Sequence, residues 1–352
     1  MKKIISLLFM ILLLTACGSK KPNNQGEQKC SVLNVYNWGV YIGENVNANF
    51  EKKFGVKVNY SLFDSNEAMY TKLLSGSKYD VLVPSDYTIE RLINEKQLAK
   101  LDKNKLPNIN VIYDGALNKE FDQNNDYSIP YFWGNVGIVY DTRVVDQKDV
   151  ETQGWEVLKN TKYAGKIYMY DSERDSFMVA FKSLGYSMNT ENEEEIQKAY
   201  EWLSELHTTM KPAYVTDEAI DGLTHGEKAM GVMYSGDAAA IIKENANMRY
   251  FVPNQGTNYW TDSMVIPKTS ECQELAHEYI NFVLDYDSAY DNSITVGYSS
   301  PNKDVLKAIS ENEYQGINAY LPSAMKTKDE VFKFNDTLRE KLSELWIKIK
   351  NK

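Results

Sequence analysis

Tyr79-Asp80-Val81-Leu82-Val83-Pro84-Ser85-Asp86-Tyr87-Thr88-Ile89-Glu90 passes from an apolar, β-branched run through a short polar step into a helical pattern. Tyr79 to Val83 reads as a strand, because such runs fit a buried pleated surface. Ser85 or Asp86 then offers a side-chain oxygen to the free amides of a first helical turn, and the helix is expected to run to about Glu95. The same unit repeats on both sides. Upstream, Ser31 to Tyr36 reads as a strand, Val46 to Phe54 as a helix stopped by Gly55, Val56 to Ser61 as a strand and Glu67 to Leu74 as a helix. Downstream, strands are expected at Gly137 to Tyr140, Lys166 to Tyr170 and Lys228 to Tyr234. Between them a helix spans Glu193 to Leu206. It is opened by Asn189, Thr190 and a run of acids that suits the helix dipole, with a stripe of Ile196, Ala199, Tyr200, Leu203 and Leu206. A last helix starts near Asp336, with Leu338, Leu342, Leu345 and Ile349 on one face. Alternating strands and helices argue an α/β fold with parallel strands.

The N-terminus is of another kind. Met1-Lys2-Lys3 is basic, and Ile4 to Leu14 is apolar apart from Ser6, too short for the roughly 20 residues of a bilayer span. With Leu14-Thr15-Ala16-Cys17-Gly18 it resembles a bacterial lipoprotein signal, with residues 1–16 removed and lipid carried on Cys17. Residues 17–30, rich in Asn, Gln and Lys, read as a flexible tether. The remaining residues suffice for two lobes with separate cores. No transmembrane span is read in the mature chain. Cys30 and Cys272 fall in segments assigned to one lobe, but sequence does not give their separation, and two unpaired thiols are expected.

The formal net charge of −10 argues against nucleic acid, whose capture needs a basic face. Dinucleotide, P-loop, zincin and nucleophile-elbow motifs are absent, and His207, His225 and His277 lack metal-ligand spacing. No cofactor, metal or catalytic residue is expected. What recurs is an aromatic beside a carboxylate near strand ends: Trp38 and Tyr41; Asp86 and Tyr87; Asp171, Glu173 and Asp175; Tyr234 and Asp237; Trp260 and Asp262; and Tyr298 in Gly297-Tyr298-Ser299. Ligands of α/β sheets bind beyond the carboxyl ends of strands. Carboxylates accept charge-assisted hydrogen bonds from ammonium groups, and aromatic faces attract the same cations and cover methylenes. The pattern fits an elongated organic cation.

At these residues the chain resembles the spermidine/putrescine-binding proteins of bacterial ABC importers. The carriers are Tyr36-Asn37-Trp38, Ser65 to Tyr70, Asp80 to Ser85, Phe121-Asp122 with Asn125 to Tyr131, Trp260 to Ser263, and Gly297-Tyr298 with Pro301-Asn302. The resemblance implies a two-lobed periplasmic-binding-protein fold of the second type, each lobe a mostly parallel sheet flanked by helices, with ligand in the cleft. Lobes are expected at 31–137 plus 259–304 and at 138–258 plus 305–352, with crossings near Gly137, Asn258 and Asp304. It also implies a monomer that delivers polyamine to permease subunits, lipid-anchored outside the cytoplasm. The aromatic box falls on Trp38, Tyr41, Tyr87, Tyr234 (where a Trp is familiar) and Trp260, with Tyr298 added. Ser85 is implied at one amine end, Asp175 (for a longer Glu) and Asp262 as carboxylates, and Asp86 as an extra acid. A further family acid aligns with Ser172, so either Asp171, one residue earlier, takes its place or the site has only two firm carboxylates. Phe334 stands near where the family has a Gln.

Two other classes remain as alternatives. An iron, thiamine or anion binder of the same fold would look for adjacent tyrosines or basic residues, and the sequence has no Tyr-Tyr pair. A glycosidase would cast Asp175 and Asp262 as its acid pair.

Overall fold

The computed structural model describes residues 30–352. The expected signal (1–16), Cys17 and the tether up to residue 29 lie outside the described residues. β1 (Val32–Trp38), α1 (Val46–Phe54), β2 (Lys57–Phe63), α2 (Asn66–Leu74), β3 (Val81–Leu82) and α3 (Asp86–Asn94) follow in order. One-turn 3-10 segments then lead to β4 (Ser128–Asp141). The second lobe holds α4 (Gln147–Gln153), β5 (Ile167–Tyr170), α5 (Glu173–Ser183), α6 (Glu193–Met210), β6 (Ala213–Val215), α7 (Glu218–Thr224), β7 (Met230–Tyr234), α8 (Ser235–Glu244) and β8 (Met248–Phe251). β9 (Tyr259–Val265) returns to the first lobe, followed by α9 (Gln273–Val283), α10 (Tyr286–Val296) and α11 (Lys303–Glu311). α12 (Asp336–Lys350) ends the chain against α5 and α6.

The strand order is β2-β1-β3-β9-β4-β7-β5-β6, with β8 beside β4. The ladders β2-β1-β3 and β7-β5-β6 are parallel, each the core of one lobe. β9 and β4 run antiparallel to their neighbours and join the lobes, so the sheet is mixed. Every residue of β4 is buried, because it is covered in both lobes.

Local chemistry accounts for the boundaries. Gly55, at φ +67°, ends α1 and gives its amide to the Glu51 carbonyl, a left-handed stop that suits a residue without Cβ. The cap of α6 is Asn192, whose side chain accepts from the Glu194 and Glu195 amides, and the helix runs one turn beyond the expected Leu206 to Met210. In α12 the buried face is Leu342, Leu345, Trp346 and Ile349, with Leu338 packed alongside.

β4 changes partner between Asn135, paired with Tyr259, and Val136, paired with Tyr234, one residue before the expected crossing at Gly137. Asn258 lies beside it, its carbonyl accepting from the Val136 amide (3.2 Å). The third passage differs from expectation. Asp304 lies in the first turn of α11, which packs on α10, and the segment beside the other two crossings is at Glu330. Tyr259 N donates to the Glu330 carbonyl (2.8 Å), Thr257 N to Asp329 (3.1 Å), and the Thr257 hydroxyl to the Val136 carbonyl (2.6 Å). Three segments thus run side by side where the lobes meet.

Cys30 and Cys272 form a disulfide, against the expectation of unpaired thiols. Cys30 precedes β1 and Cys272 caps α9, and the fold brings their Cα atoms to 5.8 Å across a separation of 242 residues. Among the described residues no helix is long and apolar enough to cross a membrane.

Candidate functional site

Three tyrosine–aspartate pairs lie between the lobes. The Tyr41 hydroxyl donates to Asp262 (2.7 Å), the Tyr234 hydroxyl to Asp175 (2.9 Å) and the Tyr298 hydroxyl to Asp237 (2.9 Å). Each joins residues far apart in the chain, so the pairs exist only when the elements are assembled.

Asp262 and Trp260 sit inside β9, not past a strand end as the recurring pattern suggested. Alternate residues of a strand share a face, so both point the same way. Trp260 is paired in register with Gly134, where an added Cβ would lie 2.9 Å from the indole. Gly236 makes similar room for the Tyr298 ring. Trp260 then packs edge-on against Tyr298 (5.1 Å) and Tyr234 (5.9 Å). Tyr41 packs against Tyr131, Phe132 and Tyr298. Trp38 closes β1, packs on Phe63 and donates from Nε1 to the Val83 carbonyl (3.0 Å).

Ser85 begins α3 and bridges to Asp262, with Asn66 donating to its hydroxyl oxygen (3.1 Å) and to the Tyr87 hydroxyl (2.8 Å). Asp86 is almost fully buried. It accepts from the Tyr87 amide (2.7 Å) and the Thr261 amide (3.3 Å), so it ties the start of α3 to β9. The Ser172 hydroxyl caps α5 and donates to Asp175 (2.7 Å). Asp175 Oδ1 and Trp260 Nε1 are buried with no hydrogen-bond partner among the described residues.

Asp171 is not brought into this group. It is exposed and accepts from Trp346 Nε1 (3.3 Å) and Lys350 Nζ (2.6 Å) of α12. The position one residue on points inward because Ser172 starts the helix.

Desolvation dominates the electrostatics. Burial pushes Asp262 up to about 6, against the lowering effect of the Tyr41 and Ser85 hydroxyls. Asp237 is likewise pushed up to about 6, with Tyr298 and Tyr170 hydroxyls opposing. Asp86 is raised to about 8 by burial, with Asp262 adding to it and the two amides and Arg174 opposing. Asp175 is raised by burial, with Ser172, Tyr234 and Arg174 opposing. The arrangement is a set of preoriented carboxylates, walled by aromatic rings, that gain from a nearby positive charge.

Three participants were not picked out from sequence. Asp237 was noted behind Tyr234 but not as a site residue, and the Tyr170 hydroxyl that also reaches it (3.3 Å) gave no signal. Arg174, between two acids, reaches across to the Tyr87 ring and Glu67 of the other lobe. At the same rim, Phe334 gives its amide to Glu90 (2.6 Å), and Arg91 pairs with Asp336 (3.4 Å).

A family profile described as bacterial extracellular solute-binding protein matches residues 45–316. The chain belongs to this family. As a member of the bacterial extracellular solute-binding proteins it binds a solute outside the cytoplasm and is not an enzyme. It is 36% identical over 282 residues, 80% of each chain, to the spermidine/putrescine-binding periplasmic protein of Escherichia coli K12. A crystal structure of the spermidine/putrescine ABC transporter substrate-binding protein of Streptococcus pneumoniae superposes with a TM-score of 0.79 at 36% identity, covering 91% of this chain and 98% of that one. A putative spermidine/putrescine ABC transporter protein from Listeria monocytogenes gives 0.81 at 35%, covering 91% and 99%.

Proposed function

We propose that this solute-binding protein captures a small polyamine between its lobes and delivers it to the permease subunits of an ABC importer. The observation that carries the reading is the buried carboxylate of Asp175, held at Oδ2 by two hydroxyls and without a protein partner at Oδ1, within reach of aromatic walls. An ammonium group supplies both the missing donor and the charge that burial withholds. Each charge-assisted hydrogen bond is worth about 1.5–3 kcal/mol, each aromatic contact about 0.5–2 and each buried methylene about 0.8. A polyamine uses all three together, whereas an anion would face the carboxylates and a sugar would leave them uncompensated.

In this reading Asp175 and Asp262 pair with the ammonium groups, and Trp38, Tyr41, Tyr87, Tyr234, Trp260 and Tyr298 enclose the chain between them. Ser85 orients Asp262, and Asp86 holds α3 against β9 while adding negative potential. The two lobes close by hinging at the three adjacent crossings. The protein acts as a monomer tethered to the membrane by lipid on Cys17, after removal of residues 1–16. The names of the relatives support the ligand class.

Thermal unfolding with putrescine, spermidine, glutamate and maltose tests it. Only the two polyamines are expected to raise the melting temperature, because only they bind the folded state. A shift with glutamate or maltose and none with either polyamine contradicts the reading.

A further inference from the structure

We propose that the Tyr131 hydroxyl, together with the Asn37 amide, is a positioning group: it holds a strained turn at Val40 and so aims the Tyr41 hydroxyl at Asp262. Its consequence for ligand affinity rests on the polyamine reading above. Gly39 and Val40 carry the chain from Trp38, the last residue of β1, to Tyr41. Val40 has φ +48°, and among the described residues it is the only β-branched one with a positive φ. In that left-handed region the branched Cβ crowds the backbone, which is why Gly and Asn usually hold such positions. The side chain is 89% exposed, so it gains little packing to offset the strain. A conformation of this kind persists only where the surroundings over-determine it.

The surroundings do so just past the turn. The Tyr41 carbonyl accepts from the Tyr131 hydroxyl (2.5 Å) and from Asn37 Nδ2 (3.2 Å). Asn37 is itself fixed, since Nδ2 also donates to the Tyr60 hydroxyl (2.8 Å) and Oδ1 accepts from the Trp38 amide (2.8 Å). Asn37 and Tyr131 are both buried, so releasing the Tyr41 carbonyl would leave their donors unsatisfied. Asn37 belongs to β1 and Tyr131 to β4, so the carbonyl is pinned to two strands. The Tyr131 ring packs on the Tyr41 ring as well (5.6 Å between centres), beside Phe132 (5.1 Å). With backbone and ring both held, the Tyr41 hydroxyl lies 2.7 Å from Asp262. Relaxation of Val40 to a negative φ would turn the chain at Tyr41 and withdraw that hydroxyl. Asp262 also faces the Ser85 hydroxyl and the Asp86 carboxyl, and loss of the Tyr41 donor leaves the effect of burial less opposed.

An NMR titration of the Asp262 carboxyl without ligand, and calorimetry with putrescine, test the assignment on wild type, Tyr131→Phe, Val40→Asn and the double variant. Tyr131→Phe keeps the ring and loses only the hydroxyl. It is expected to raise the Asp262 midpoint by about half a pH unit or more and to weaken putrescine binding about tenfold. Val40→Asn, a residue that tolerates the left-handed region, should leave both readings near wild type. In the double variant it should restore them, because the turn then no longer depends on the clamp. A general loss of packing at Tyr131 would not be repaired by an exposed residue in another segment. An unmoved Asp262 midpoint in Tyr131→Phe overturns the assignment, and so does a raised midpoint that Val40→Asn fails to restore. Wild type that binds no polyamine overturns the polyamine reading, while the ligand-free titration still decides for or against the clamp.

Discussion

Tyr41, Tyr234 and Tyr298 each donate a hydroxyl to a buried aspartate, and these bonds oppose the effect of burial on the acids of the cleft. A hydroxyl donor lowers the cost of ionising the acid, but desolvation wins, and Asp262 and Asp237 stay pushed up to about 6 and Asp86 to about 8. An unfolded aspartate ionises near pH 3.9. Between that value and the folded one the folded chain binds more protons, so these groups favour folding at low pH and lose that contribution as pH rises through about 6 and then about 8. The groups acting on Asp86 include Asp262 and Arg174, and its own charge in turn acts on Lys119. A cation needs the ionised acids, so binding releases protons. Polyamine affinity is expected to rise about tenfold or more from pH 5 to pH 7.5, checked by titration calorimetry in buffers of differing ionisation heat. At this scale sequence exposed the residue types but not their partners. Asp171 and Ser172 differ by one position, and only the start of a helix decides which of them turns inward.

α5 and β9 deliver most of the site. Ser172 caps α5 and brings Asp175 into the cleft and Arg174 across it, while the period of β9 puts Trp260 and Asp262 on one face. Neither element was legible as such. Phe177, Met178, Val179, Ala180 and Phe181 are all buried, so α5 lacks the one-sided stripe that marks a surface helix. β9 is buried on both faces and lacks alternation. By contrast α1, α6 and α12, with a polar face and a stop or cap signal, could be read directly. The seat of Trp260 gives a test at this scale. Gly134→Ala places a methyl against the Ser235 hydroxyl and 2.9 Å from the indole, and overpacking of this kind costs about 1–3 kcal/mol. A lower urea midpoint together with weakened ligand binding is expected, and an unchanged midpoint would contradict the packing argument.

The whole molecule is two α/β lobes joined where Asn135–Val136, Asn258 and Glu330 run side by side. Lys182 of α5, itself buried, pairs with Glu330 (2.8 Å), so the helix that carries Asp175 is fastened to the junction. The two-lobed plan was legible because strand–helix alternation repeats and six sequence blocks follow the family order. The third crossing and the disulfide were not, since both depend on distances between segments remote in sequence. Cys30–Cys272 closes a long loop, a sequence separation of 242 residues, so replacing both by Ser should cost about 2–5 kcal/mol through the added freedom of the unfolded state, seen as a lower denaturation midpoint. The proposed ligand capture belongs to this scale too, because Asp175 sits on α5 of one lobe and Asp262 on β9 of the other. The most direct test is the heat of putrescine binding to wild type and to Asp262→Asn. Micromolar or tighter binding to wild type, weakened at least about tenfold (about 1.4 kcal/mol) in the variant, is the predicted result. No heat with wild type, or equal affinity in the two proteins, would contradict the account.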